Sequence, residues 1–237
     1  MKIKFLGAAT SVTGSCHLLT TEKSKILLDC GMFQGNDDLD ELNWQPFDFD
    51  PAELDFVLIS HAHIDHSGRI PLLVKRGFNG KIYCSDATAD LLNVMLRDSA
   101  YIQEKETEWQ NNKNQRAGRP LVEPLYTVKD AERALRHIEP VLYDQLLDAS
   151  EDVKVVFNDA GHILGSSIIE LFIKENGDPS KLVFTGDIGM RDKPILKDPT
   201  IIKKADFVIM EATYGDRVHE ENSASIDCLV EIVLKTI

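Results

Sequence analysis

Four potential metal donors crowd into one short segment, His61-Ala62-His63-Ile64-Asp65-His66. Imidazole and carboxylate are the ligands a catalytic zinc uses while keeping one position for water, and a carboxylate commonly bridges two such ions. The segment follows an unbroken apolar run, Phe56-Val57-Leu58-Ile59. A flat strand could not gather its donors, so the chain must turn, aiming His61 and His63 at one point and Asp65 and His66 at a neighbouring one. Two further donors sit beside glycine at the margins of apolar runs, His162 after Gly161 and Asp187 after Gly186. Glycine lets backbone pass close to a metal centre without a side chain in the way. A single histidine or aspartate in a loop is usually a surface residue. Four donors at this spacing are not explained that way.

The elements that must position these residues read as strands in two sets. The first set is Lys2 to Leu6, Cys16 to Thr20, Lys25 to Asp29 and Phe56 to Ser60; several of these end in polar residues, where chemistry in α/β sheets tends to sit. A helix is expected over Gly68 to Arg76, a strand over Lys81 to Cys84 and a helix over Ala87 to Ser99. Tyr101 to Gly118 is strongly polar and reads as a solvated helix fading into a loop. Thr127-Val-Lys-Asp130 has the form of a capping box, opening a helix through His137 that stops before Pro140. The second strand set is Val153 to Phe157, Ser167 to Lys174, Lys181 to Thr185 and Asp206 to Met210, with Asn176-Gly177 as a turn. Beyond Gly215, Ile226, Leu229, Val230, Val233, Leu234 and Ile237 follow helical spacing with no stop signal.

The 237 residues suffice for a large α/β domain with a sizeable core. A formal net charge of -13 argues against gripping nucleic acid by bulk charge, although metal ions could reverse the field locally. Cys16, Cys30, Cys84 and Cys228 are scattered, as expected of reduced, mostly buried thiols, and no apolar stretch approaches the length of a membrane span. A cytoplasmic protein with no membrane partner is expected.

The segment His61 to His66 resembles the His-x-His-x-Asp-His signature of the metallo-β-lactamase superfamily, and His162 and Asp187 match that family's later ligands. The resemblance implies an αββα sandwich in which His61, His63 and His162 hold one zinc, Asp65 and His66 the second, and Asp187 bridges both. Asp29, in Leu28-Asp29-Cys30-Gly31, is similar to the family's first-motif aspartate, which orients the ligand loops. Thr13-Gly14-Ser15-Cys16, Gly161 to Ser166, Thr185 to Asp187 and Glu211-Ala-Thr-Tyr-Gly215 resemble the β-CASP branch. That likeness implies phosphodiester hydrolysis in single-stranded RNA through a metal-activated hydroxide. Asp65 would orient the nucleophile and Glu211 would support protonation of the leaving group. Rivals are a thioester or lactone hydrolase of the same fold and a non-catalytic scaffold in an RNA-processing complex. A homo-oligomer is compatible with any of these.

The β-CASP branch closes its site with two histidines that follow an inserted domain, and no residue here matches them. Residues 1–215 are therefore expected to form the metallo-β-lactamase-like domain, with a polar helical excursion over 86–140. Residues 216–237 would begin a helix leading toward a β-CASP-type domain and a completing segment that these residues lack. The second zinc is expected to be weak or absent. His219 is the one nearby substitute. His17, in an apolar strand, is expected to be a satisfied packing residue, and His137 a structural one on a helix.

Overall fold

The structure, a computed structural model, describes residues 1–175, 178–216 and 222–236. The Asn176-Gly177 turn, Arg217, His219 and Ile237 lie outside the described residues. One sheet runs β1 (Lys2–Phe5), β2 (His17–Thr20), β3 (Lys25–Leu28), β4 (Phe56–Leu58), β5 (Lys81–Ser85) and β6 (Ile138–Val141), in that spatial order. Its first three strands pair antiparallel, and β3 through β6 run parallel. The second sheet comprises β7 (Leu146–Asp148), β8 (Val153–Asp159), β9 (Ser167–Glu175), β10 (Asp178–Phe184) and β11 (Phe207–Ile209). It is antiparallel except for the β10–β11 pair.

Side-chain alternation explains the layering. Ile26, Leu28, Phe56, Leu58 and Tyr83 face inward and meet Val155, Phe157, Ile169, Leu171 and Leu182 of the second sheet. Their neighbours Leu27, Val57 and Ile82 face the other way, into a core shared with helices α3 (Ile70–Lys75), α4 (Asp86–Arg116) and α5 (Val128–Leu135). Central strands β3 and β4 are buried on both faces, which is why their sequence is continuously apolar. Two short helices, α1 (Asp37–Glu41) and α2 (Ile64–Ser67), occupy the loops, and α6 spans Asn222–Thr236. This mixed α/β two-sheet architecture is the one expected from the sequence.

Several details differ from expectation. The polar stretch after Ser99 continues α4 without a break to Arg116, because no Gly or Pro interrupts it. Asn114 is buried there and donates to the Pro120 carbonyl at 3.0 Å, tying the helix end to the following loop. The capping box is present, with Thr127 and Asp130 bonded reciprocally, but α5 ends at Leu135. His137 lies in the turn after it, its Nδ1 2.9 Å from the Gly80 carbonyl oxygen, and not on the helix as expected. Strand β6 contains Pro140, which a central strand would exclude; β6 is the last strand of its sheet, where a missing N–H is tolerated. Leu229, Val230, Val233 and Leu234 of α6 are exposed. Cys16, Cys30 and Cys84 are buried free thiols and Cys228 is an exposed one. Among the described residues, no helix is long and apolar enough to cross a membrane.

Candidate metal centre

Parallel β3, β4 and β5 end side by side, with Leu28, Leu58 and Tyr83 in register. The loops that carry function leave from those ends: Asp29 after β3, Ser60 to His66 after β4 and Ser85 closing β5. From the other sheet, β10 delivers Gly186-Asp187 and its parallel neighbour β11 delivers Glu211. The His162 loop is stapled between the sheets. Ser167 N–H donates to the Ser60 carbonyl at 2.8 Å, and Ser85 and Thr88 hydroxyls donate to the Gly165 carbonyl at 2.6 and 2.8 Å. Gly31 carries no side chain for a steric reason, since a Cβ there would stand 1.6 Å from the Asp65 carbonyl oxygen. Gly186, at a φ of +52°, packs against Ser60, where a Cβ would meet its Oγ at 2.7 Å.

Potential ligand atoms of His61, His63, His162 and Asp187 lie within 4.8 Å of one another. His61 Nε2 is 2.9 Å from His63 Nδ1, and His162 Nε2 is 3.3 Å from the same atom. Asp187 Oδ2 stands 3.5 Å from His162 Nε2 and 3.8 Å from His61 Nε2. Donors around a tetrahedral zinc with ordinary bond lengths are separated by about 3.3 Å, so the observed spacings bracket what the ion requires. The other carboxylate oxygen, Asp187 Oδ1, faces His66 Nε2 at 3.2 Å, and Asp65 Oδ2 lies 3.7 Å from that nitrogen. Asp187 thus touches two donor groups, one with each oxygen. The His61, His63, His162 and Asp187 group fits a metal ion in chemistry and in spacing, and His66 and Asp65 stand beside it.

Hydrogen bonds set which nitrogen His61 and His66 turn toward the site. Asp29 is fully buried and takes the Ser60 amide at 2.8 Å, the Ser60 hydroxyl at 2.9 Å, the Ser15 hydroxyl at 3.0 Å and His66 Nδ1 at 2.7 Å. A carboxylate only accepts, so His66 donates from Nδ1 and turns Nε2 toward Asp187 and the site. The Ser60 hydroxyl proton goes to Asp29, so His61 donates from Nδ1 to Ser60 Oγ at 3.0 Å and likewise presents Nε2. Asp29 holds this post at a φ of +57°, a left-handed conformation that aspartate tolerates better than most residues.

The electrostatics point the same way. Burial pushes the His61 imidazole well below its ordinary range, with His66 adding to the effect. Burial opposes charge on His66 too, but Asp29 on one side and Asp187 on the other outweigh it and raise that ring to about 10. Asp187, despite burial, is held down at about 2 by the His66 hydrogen bond and the surrounding imidazoles. Between Asp29 and Asp187 the His66 ring is favoured in its positively charged form.

Of the six expected donors, His61, His63, His162 and Asp187 form one group, His66 lies against Asp187, and Asp65 lies against His66. Glu211 lies at the neighbouring wall, its Oε1 accepting from the Ile188 amide at 2.7 Å. Ser15 and Ser60 were not singled out from sequence; their signal is positional, Ser60 directly before His61 and Ser15 just ahead of β2, across from Asp29. His17 is buried as expected but is not satisfied, because its Nδ1 has no partner.

The metallo-beta-lactamase superfamily profile matches residues 9–227, and the chain belongs to that superfamily. Across its whole length it is 38% identical to a protein named Ribonuclease TTHA0252 from Thermus thermophilus, covering 49% of that relative. It is 35% identical over 224 residues to Transcription termination factor FttA of Methanosarcina mazei, covering 91% of this chain and 32% of the relative. The chain therefore spans about half or less of the length of these relatives. Their names agree with the β-CASP-like ribonuclease branch expected from the motifs.

Proposed function

We propose that the chain is a zinc-dependent phosphodiesterase acting on single-stranded RNA. The observation that carries this reading is the Asp187 carboxylate, whose two oxygens face two separate donor groups. A pair of metals is suited to in-line displacement at phosphorus, and a relative sharing 38% of this sequence is named a ribonuclease. His61, His63, His162 and Asp187 would hold one zinc; Asp65, His66 and Asp187 would hold the other. The bound metal supplies Lewis acidity and lowers the pKa of water. The first group has four protein donors and the second has three among the described residues, so the second ion is the weaker. Asp65, partly exposed, orients the attacking water and accepts its proton. Glu211, anchored by the Ile188 amide, supports protonation of the leaving oxygen. Asp29 touches no substrate; it fixes the tautomer of His66.

The test is incubation of zinc-loaded protein with labelled single-stranded RNA beside a thioester and a lactone. RNA cleavage is the expected result, and cleavage of the carbonyl substrates alone would overturn the reading. Glu211→Gln is expected to keep its zinc and lose about 100-fold in RNA cleavage, the order of a general acid's contribution. Loss of zinc in that variant would make Glu211 a ligand or a ligand support.

A further inference from the structure

A cleft of about 510 Å³ opens beside the donor groups, lined by His66, Asp187, Glu211, Thr213, Ser11 and Val12. His17 forms part of its lining. Its ring is held edge-on between Phe5 and Phe184, with centroid separations of 5.1 and 5.7 Å and interplanar angles of 66° and 82°. Neither neighbour offers a hydrogen bond, and Nδ1 is sealed from solvent without a partner. A phenyl ring would suit this aromatic pocket better than an imidazole does. Buried polar atoms left unsatisfied are rare, and they mark positions where chemistry outweighs packing.

The protonation of the ring follows from its surroundings. Burial lowers the His17 pKa, with Asp29 opposing and His66 reinforcing, so the ring is neutral at ordinary pH. A neutral imidazole has one N–H. With Nδ1 sealed, Nε2 is the ring nitrogen left to meet a ligand, as a donor in the tautomer that carries its proton there. In that tautomer the cleft contains an uncharged donor beside the metal donors.

We propose that His17 is a substrate-binding residue whose Nε2–H donates a hydrogen bond to an oxygen of the ribonucleotide lying in the cleft. This rests on the RNA phosphodiesterase reading above. Two oxygens share the required chemistry, a ribose 2′-hydroxyl and a non-bridging phosphate oxygen. The contact would seat the nucleotide against Phe5 and Glu211 without adding charge to a site that already concentrates it.

The test measures binding of a labelled single-stranded RNA to the zinc-loaded parent, His17→Phe and His17→Gln by fluorescence anisotropy, with zinc content and melting temperature recorded for each. His17→Phe is expected to keep its zinc, melt no lower than the parent and bind RNA about five- to tenfold more weakly, the worth of one neutral hydrogen bond. His17→Gln, which retains a donor, is expected to recover part of the loss. Repeating the comparison with 2′-deoxy and with methylphosphonate oligonucleotides identifies the oxygen, since the difference between parent and variant disappears when the accepting group is gone. Parent-like RNA binding by both variants would make His17 a packing residue and overturn the inference. Loss of zinc in His17→Phe would also overturn it, because His17 would then act through the metal donors. A parent that binds no RNA would remove the RNA reading, and this inference with it.

Discussion

Asp187→Ala is expected to bind zinc at least about 100-fold more weakly than the parent, a larger loss than any residue outside the donor groups should cause. Its carboxylate contacts His162 and His61 through one oxygen and His66 through the other, so on the proposed metal assignment a single truncation removes a ligand from both positions. It also withdraws the negative charge that offsets the cations. The imidazoles would remain, held by Ser60 and Asp29 from behind, which limits the damage to the metal and spares the fold. His137→Ala is the control, since its ring contacts the Gly80 carbonyl at the far end of β5. Elemental analysis after dialysis, followed by titration with a competing chelator, measures both variants. Equal zinc in Asp187→Ala and the parent would remove Asp187 from the site.

Asp29→Ala is expected to damage stability and metal binding together. Four donors converge on this fully buried carboxylate, and its removal strands the Ser60 amide, two hydroxyls and an imidazole N–H in the interior. Leaving such groups without an acceptor should cost about 3 kcal/mol or more. For a chain of this size that is a fall of roughly 6–12 °C in melting temperature. Zinc affinity should drop on the order of 10- to 100-fold, because His66 loses the partner that sets its tautomer. The melting temperature should fall in chelator-treated protein as well, since three of the four bonds involve serine groups that bind no metal. A normal melting curve in chelator would show that Asp29 matters only through the ions.

The features legible in sequence were those whose cause is local. His61 to His66 declare themselves by donor density, and the continuous apolar runs before Asp29 and Ser60 mark strands buried on both faces. The Thr127–Asp130 box is a four-residue device and is present as expected. What could not be seen depends on neighbours distant in the chain. Strand β6 was hidden because Pro140 reads as a breaker, and only its place at the sheet edge makes it permissible. The extension of α4 through residues with little apolar patterning depends partly on Asn114 finding the Pro120 carbonyl. The unsatisfied state of His17 follows from having Phe5 and Phe184 as neighbours, and no local pattern announces that pairing.

The donors come from two different sheets, and this bears on when the centre can exist at all. His63 and His162 are separated by 99 residues, yet their nitrogens stand 3.3 Å apart. Contacts at such separation form late, after loop closure has been accomplished by the rest of the chain. A growing polypeptide that has emerged only through His66 thus presents two loose half-sites with no carboxylate to join them. On the proposed assignment, metal capture follows the docking of the two β-layers, and a captured metal cross-links those layers. Chelation should therefore accelerate amide exchange at the ends of β4 and β10 more than at β1, because those ends are where the rivet sits.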